Sequence, residues 1–318
     1  MDDINKKPLV ILTGPTAVGK TELSVKLAKA VNGEIISADS MQVYKQMDIG
    51  TAKIKKEEMG GIPHYLIDIL EPQEEFNVVK FKEYSLQAME EIYEKGKVPI
   101  IVGGTGFYIQ AVLYGIHFEE NGEDTVYRVK LEEVAKEMGS VYLHEKLKEA
   151  DPAAAEAIHP NNVKRVIRAL EYFEQTGNRI SEHNEEQRSK VSPYRFCYFV
   201  LNNDRDVLYE RINKRIDIML EQGLVEEVKR LLKNGCTKEM VSMQGLGYKE
   251  IIEYLQGNCT LEEAVYLLKR DTRHFAKRQL TWFRREKEVN WIQKNEYGDK
   301  EDLVLEALLS ELKKKEIG

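Results

Sequence analysis

Residues 9–31 read LVILTGPTAVGKTELSVKLAKAV. Leu9 to Thr13 form a short apolar run, and Thr21 to Val31 carry Leu23, Leu27, Ala28 and Val31 at helical spacing. Between them stands Gly14-Pro15-Thr16-Ala17-Val18-Gly19-Lys20-Thr21, which matches G-x-x-x-x-G-K-[ST] in the context that pattern requires, strand before and helix after. The glycines let backbone N–H groups converge on phosphate oxygens, and the helix N-terminus adds positive potential. Lys20 brings a mobile positive charge, and the Thr21 hydroxyl offers a ligand for Mg²⁺. The stretch therefore reads as a phosphate cradle at the head of an α/β fold. It is silent on the reaction, and its bland counterpart is a glycine-rich turn that binds nothing.

Outward from the cradle, short apolar runs alternate with amphipathic stretches, as in a parallel sheet covered by helices. Asn32-Gly33 ends the first helix, and Glu34 to Ser37 begin a second strand. Val98 to Val102 predict a third, running into the turn Gly103-Gly104-Thr105-Gly106, with Phe107 to Tyr114 helical beyond it. Near residue 116 the character changes. Acidic residues cluster at Glu119, Glu120, Glu123 and Asp124, and helical patterns extend to about Gln187. Phe196 to Leu201 (FCYFVL) return to a strand. From Asp206 onward the expectation is helix throughout, punctuated by Gly223, Gly235, Gly245, Gly247 and Gly257. The expected fold is α/β: a P-loop NTPase-like parallel sheet core begun by residues 1–115, a helical insertion over 116–190, and 191–318 completing the core and adding C-terminal helices.

A length of 318 residues suits about two domains. With 42% hydrophobic and 32% charged residues the chain reads as globular rather than disordered. A net charge of −7 excludes a wholly basic nucleic-acid binder but allows a local basic groove. The apolar stretch from Val98 to Ile116 is broken by glycines, so no membrane segment is expected. Cys197, Cys236 and Cys259 are widely spaced and odd in number, which predicts neither a disulfide framework nor a zinc site and suits a reducing cytoplasm.

Two strand ends beside the cradle carry candidate chemistry, since ligands of open α/β sheets sit beyond the carboxyl ends of the strands. Asp39, in Ser37-Ala38-Asp39-Ser40, reads as a metal partner, a substrate anchor, a general base or simply a cap on the next turn. The third strand ends in Gly103 where a nucleotide hydrolase often places an acidic metal ligand, which weakens that reading. Arg211 and Arg215 share one helix face, either as a functional pair or as a solvated face bridged to Glu210 or Asp217. Lys164, Arg165 and Arg168 form a second cationic group. Lys269, Arg270, Arg273, Lys277, Arg278, Arg284 and Arg285, interleaved with His274, Phe275, Trp282 and Phe283, form a third. That third group reads as a nucleic-acid surface or as an amphipathic helix whose aromatics pack inward.

Beyond the cradle, several blocks together resemble the bacterial tRNA dimethylallyltransferase (IPP transferase) family. They are ISADSMQVYKQMDIGTAK (36–53), GGTGFYIQAVLYG (103–115), RVIRALE (165–171), LYERINKRIDIML (208–220), QGLGYKE (244–250) and AKRQLTWFR (276–284). The departures are Ile54 after GTAK and Val18 inside the cradle; neither is a side chain assigned to chemistry. The resemblance implies transfer of a dimethylallyl group from dimethylallyl diphosphate to N6 of adenosine 37, beside the anticodon. It implies a cradle of Gly14, Pro15, Thr16, Ala17, Val18, Gly19, Lys20 and Thr21 holding diphosphate with Mg²⁺, clamped by Arg215 and Arg211. Asp39 is then the expected base, with Thr105, Thr21 and Arg215 also catalytic. Expected tRNA contacts are Asp39, Ser40, Met41, Gln42, Thr105, Arg128, Lys164, Arg165, Arg168, Gln244, Gly245, Gly247, Lys277, Arg278, Gln279 and Arg284. A cytoplasmic monomer is expected. The alternatives are a nucleotide or small-molecule kinase binding ATP on the same loop, and a P-loop RNA-binding protein that transfers nothing.

Overall fold

In the computed structural model, residues 6–117 and 125–318 are described, so the acidic cluster of Glu119, Glu120, Glu123 and Asp124 lies outside the described residues. The chain forms two compact units, Met1–Leu113 with Pro193–Gly318, and Tyr114–Ser192. In chain order the first unit opens with β1 (Pro8–Thr13), α1 (Lys20–Ala30), β2 (Gly33–Ala38), β3 (His64–Tyr65), α2 (Val78–Glu94), β4 (Val98–Gly103) and α3 (Gly106–Leu113). The second unit holds α4 (Thr125–Met138), α5 (Ser140–Ala150), α6 (Pro152–Ala157), α7 (Val163–Thr176) and α8 (Ile180–Ser189). The first unit resumes with β5 (Arg195–Asn202), α9 (Arg205–Glu221), α10 (Leu224–Lys233), α11 (Tyr248–Leu255), α12 (Leu261–Phe283), β6 (Val289–Gln293) and α13 (Glu301–Lys314).

The strands make one sheet in the order β3-β2-β4-β1-β5-β6, and every pairing is parallel. Parallel sheets need cover on both faces, so their strands are apolar on both. Val10 and Leu12 pack with Ile35, Ile100, Leu23 and Leu27 of α1 and Leu308 of α13 in one core. The alternate residues Ile11, Ile36 and Ile101 are also fully buried. Each such side chain contributes about 1.5–3 kcal/mol over its exposed state.

Register decides what the sheet can present. Thr13 of β1 stands opposite Gly103 of β4, and Gly103 stands opposite Ala38 of β2. Three adjacent strands thus end level, and the cradle, the Gly104-Thr105 turn and Asp39 leave the same edge.

The helix-only expectation past Asp206 is corrected by β6, which pairs with β5 from Tyr198↔Val289 to Asn202↔Gln293. Its five residues, VNWIQ, follow a charged stretch and are too few to show a period of their own. Pairing with a neighbouring strand determines their conformation.

In the second unit, Leu131, Leu143, Leu147, Val166, Ile167 and Leu170 form a separate core. Asp151 is fully buried there, and its carboxylate accepts from the Ala154 N–H, the Ser181 N–H and the Ser181 hydroxyl. Those bonds cap α6 and tie it to α8.

Candidate active site

Gly19 precedes α1 in the left-handed region, φ 91°, where a side chain would be strained. No side chain caps α1, so its first amides remain available to an anion. The Lys20 ammonium donates to the carbonyls of Gly14 and Pro15, both at 2.9 Å. Burial, followed by the Arg215 charge, pulls that ammonium down to about 7, while Asp39 pulls it the other way. Arg215 itself is drawn below its ordinary value by burial and supported by Asp39. Burial thus acts on both cations, Lys20 and Arg215, and the Asp39 carboxylate lies close enough to support the charge of each. A polyanion placed between the two cations would relieve their repulsion.

The two arginines of α9 part ways. Arg215 is supported by Asp39, whereas Arg211 lies 3.5 Å from Asp299, whose carboxylate also accepts from the Asn203 amide. Asp217 pairs with Lys269 of α12.

Asp39 follows directly on β2. Its Oδ1 accepts from the Met41 N–H at 2.9 Å and the Gln42 N–H at 3.4 Å, so this one oxygen caps the turn. Thr105 donates its N–H to the carbonyl of Ala38 at 3.3 Å, which moors the turn after β4 beside Asp39. The glycines around Thr105 are explained by close approach, because none has a positive φ. A Cβ on Gly104 would fall 2.1 Å from Gln279 Nε2, and one on Gly106 would fall 2.2 Å from the Trp282 ring.

The segment past Asp39 is shaped by a residue absent from the expected site, Glu227. Glu227 of α10 is 2% exposed, and its carboxylate accepts the N–H groups of Asp48, Ile49 and Gly50 and the Tyr248 hydroxyl. The signal was present in Leu224, Glu227, Val228 and Leu231, where an acid stands in an apolar i, i+3, i+4, i+7 stripe. Gln42 donates to the carbonyls of Thr51 and Ala52, which closes the same loop.

Helix α12 turns aromatic side chains inward and keeps cations exposed. Phe283 is buried and Trp282 packs edge-on to Phe107 at 6.0 Å, while Lys277, Arg278 and Arg284 remain exposed. Gln279 is inside rather than on the surface, 7% exposed. Ser40 and Met41 are half-buried, and Gly245 seats against Met41, where a Cβ would fall 2.6 Å from Met41 Cε. Gln244 is exposed and donates to the Lys238 carbonyl, and Gly247 is buried. In the second unit Lys164, Arg165 and Arg168 are exposed on α7. Arg128 of α4 makes a bidentate pair with the buried Glu171, at 2.9 and 2.7 Å.

Among the described residues no group of three or more His, Cys, Asp or Glu side chains is placed to hold a metal. The exposed Thr21 hydroxyl in the first turn of α1 fits an ion that arrives mostly ligated by substrate oxygens and water. No helix among the described residues is long and apolar enough to cross a membrane.

A family model described as IPP transferase matches residues 42–286. The chain is 66% identical over 302 residues to the tRNA dimethylallyltransferase of Lachnoclostridium phytofermentans, covering 95% of this chain and 96% of the relative. It is 54% identical over 296 residues to that of Acetivibrio thermocellus, covering 93% and 95%. Its fold is similar to the crystal structure of the full-length tRNA isopentenylpyrophosphate transferase from Bacillus halodurans, with TM-score 0.72, 46% identity and 98% of each chain covered. A eukaryotic dimethylallyltransferase acting on tRNA is similar at TM-score 0.77 and 31% identity, with 90% of this chain and 74% of that chain covered.

Proposed function

The chain belongs to the IPP transferase family, and on that premise we propose that it moves a dimethylallyl group from dimethylallyl diphosphate to N6 of adenosine 37 in tRNA. The observation that carries the chemistry is the corner where Lys20, Arg215 and Asp39 act on one another's charge. A kinase reading needs the cradle to hold a transferable γ-phosphoryl group. In the transfer reading it holds a leaving group.

The amino group of adenine is a weak nucleophile because its lone pair is delocalised into the ring. Rate therefore depends on easy departure of the diphosphate from the allylic carbon. Loop amides, Lys20 and Arg215 stabilise the oxygens on which negative charge develops as the C1–O bond breaks. As N6 bonds to C1 it becomes cationic, and the Asp39 carboxylate takes its proton. Oδ1 of Asp39 is occupied by the Met41 and Gln42 amides, which leaves Oδ2 for that role. Thr105, tethered to Ala38, hydrogen-bonds the base. The adenine reacts only when unstacked, so it enters flipped out of the anticodon loop. Mg²⁺, when present, neutralises charge on the diphosphate, and Thr21 is the residue that would hold it.

Recognition of the tRNA falls to exposed cations, Lys164, Arg165 and Arg168 on α7 and Lys277, Arg278 and Arg284 at α12, supplemented by the segments of Ser40 to Gln42 and Gln244 to Gly247. We assign the enzyme to the cytoplasm as a monomer. Incubation with unmodified tRNA, Mg²⁺ and dimethylallyl diphosphate tests the reading: a five-carbon mass increase on adenosine supports it. ATP consumption without that increase would support a kinase instead.

A further inference from the structure

Gln279 of α12 spans the gap between the two halves of the reactive site. Its Oε1 accepts the backbone N–H of Thr16, inside the phosphate cradle, at 2.9 Å. Its Nε2 donates to the carbonyl of Gly104, the residue before Thr105, at 3.1 Å. Each end of the amide is thus joined to a different reactant's binding element, and the side chain is almost fully buried. A glutamine at this depth is costly unless its polar atoms are paired, and here both are paired across the site.

The opposite surface is cut to receive it. Gly104 has no positive φ to justify glycine, and the nearest obstacle to a Cβ there is the Gln279 amide, at 2.1 Å. One turn on, Trp282 lies on Gly106 in the same way. Side chains three apart on a helix share a face, so α12 grips the Gly104-Thr105-Gly106 turn with two fixed groups. The Ala38 carbonyl holds the same turn from the Asp39 side.

We propose that Gln279 is a positioning residue for the transfer reaction, setting the separation between the cradle that holds the leaving diphosphate and the turn that holds the attacking base. This inference rests on the transfer reading given above. Displacement at carbon requires the two reactants at near-attack separation, and a misplacement of about 1 Å costs about 100-fold in rate. Neither reactant's affinity need change, because Gln279 reaches both only through the backbone of the elements that bind them.

Gln279→Leu keeps the volume and removes both hydrogen bonds. Gln279→Glu keeps the acceptor for Thr16 and loses the donor to Gly104. The Leu variant is expected to lower the single-turnover rate constant by about 100-fold, with the Glu variant falling too. Donor KM and tRNA dissociation constant should stay close to wild type, whereas the melting temperature should fall somewhat because the Thr16 N–H and the Gly104 carbonyl lose their partner. Gly104→Ala approaches the same contact from the other side and covers the case in which the Leu variant fails to fold. Its rate should drop alone, and combination with Gln279→Ala, which makes room for the new methyl, should give less than the product of the two losses. Rate constants equal to wild type in Gln279→Leu, or additive losses in the double variant, would overturn the inference. So would an equal fall in tRNA affinity, which would mark Gln279 as a tRNA contact. A wild-type chain that adds no five-carbon group overturns the transfer reading and this inference with it; an active wild type with unaffected variants overturns this inference alone.

Discussion

Thr105 donates its backbone N–H to the carbonyl of Ala38, the residue immediately before Asp39. The register Ala38↔Gly103↔Thr13 makes that bond possible, since β2, β4 and β1 end level with one another. Asp39, the Gly104-Thr105 turn and the glycine-rich loop of residues 14–21 are thereby brought to one edge by the pairing of three strands.

If Asp39 takes the N6 proton, Asp39→Asn removes the proton acceptor while its side chain can still accept from the Met41 and Gln42 amides. The single-turnover rate constant should fall about 10²–10⁴-fold. Fluorescence anisotropy with an anticodon stem-loop should report almost unchanged affinity. Equal losses in rate and affinity would assign Asp39 to binding.

If the loop around Lys20 binds diphosphate, that binding should depend on pH. Burial and Arg215 lower its ammonium to about 7 in the free protein. A bound polyanion favours the charged form, so it raises that value. Above pH 7 binding should take up a proton at Lys20, and affinity should weaken as pH rises. Titration calorimetry with inorganic pyrophosphate at pH 8, in buffers of different ionisation enthalpy, measures the uptake. Lys20→Met should abolish it.

If the exposed cations of α12 contact tRNA phosphates, binding should carry a salt-dependent signature. Lys277→Ala should weaken tRNA binding and reduce the slope of log K against log salt by about one. An unchanged slope would remove Lys277 from the phosphate contacts.

Asp151 ties acid stability to the second unit. Burial alone would raise its carboxyl, yet the Ser181 hydroxyl and the Ala154 and Ser181 amides together hold it below the ordinary range. A depressed acid stabilises the fold above its unfolded value of about 3.9, and the contribution fades as pH falls through the folded value. Asp151→Asn should lower the melting temperature near neutrality and narrow the gap to wild type in acid, as followed by circular dichroism.

Much of this molecule was written locally. Leu9 to Thr21 announce strand and cradle because a phosphate loop needs its glycines, lysine and hydroxyl at fixed intervals, and FCYFVL announces β5 because a doubly covered strand has to be apolar throughout. What stayed hidden depends on partners distant in sequence. The pairing of β6 with β5 is decided across 91 residues at Tyr198↔Val289, and VNWIQ carries too little pattern to reveal it. The glycines of the 103–106 turn read as a tight turn, whereas Gly104 and Gly106 make room for Gln279 and Trp282. Arg211 and Arg215 look equivalent on their helix, and only the fold puts Asp299 beside one and Asp39 in the field of the other. Glu227 and Gln279 did leave a trace, as polar residues standing in apolar helical stripes.

Whether the loop of residues 14–21 binds a leaving group is decided by the pyrophosphate released per adenosine prenylated, with dimethylallyl diphosphate as donor and no ATP present. One pyrophosphate is expected for each five-carbon group added, with both appearing at the same reduced rate in Lys20→Ala and Arg215→Ala. Release of phosphate only when ATP is supplied, with no carbon added to the tRNA, would contradict it.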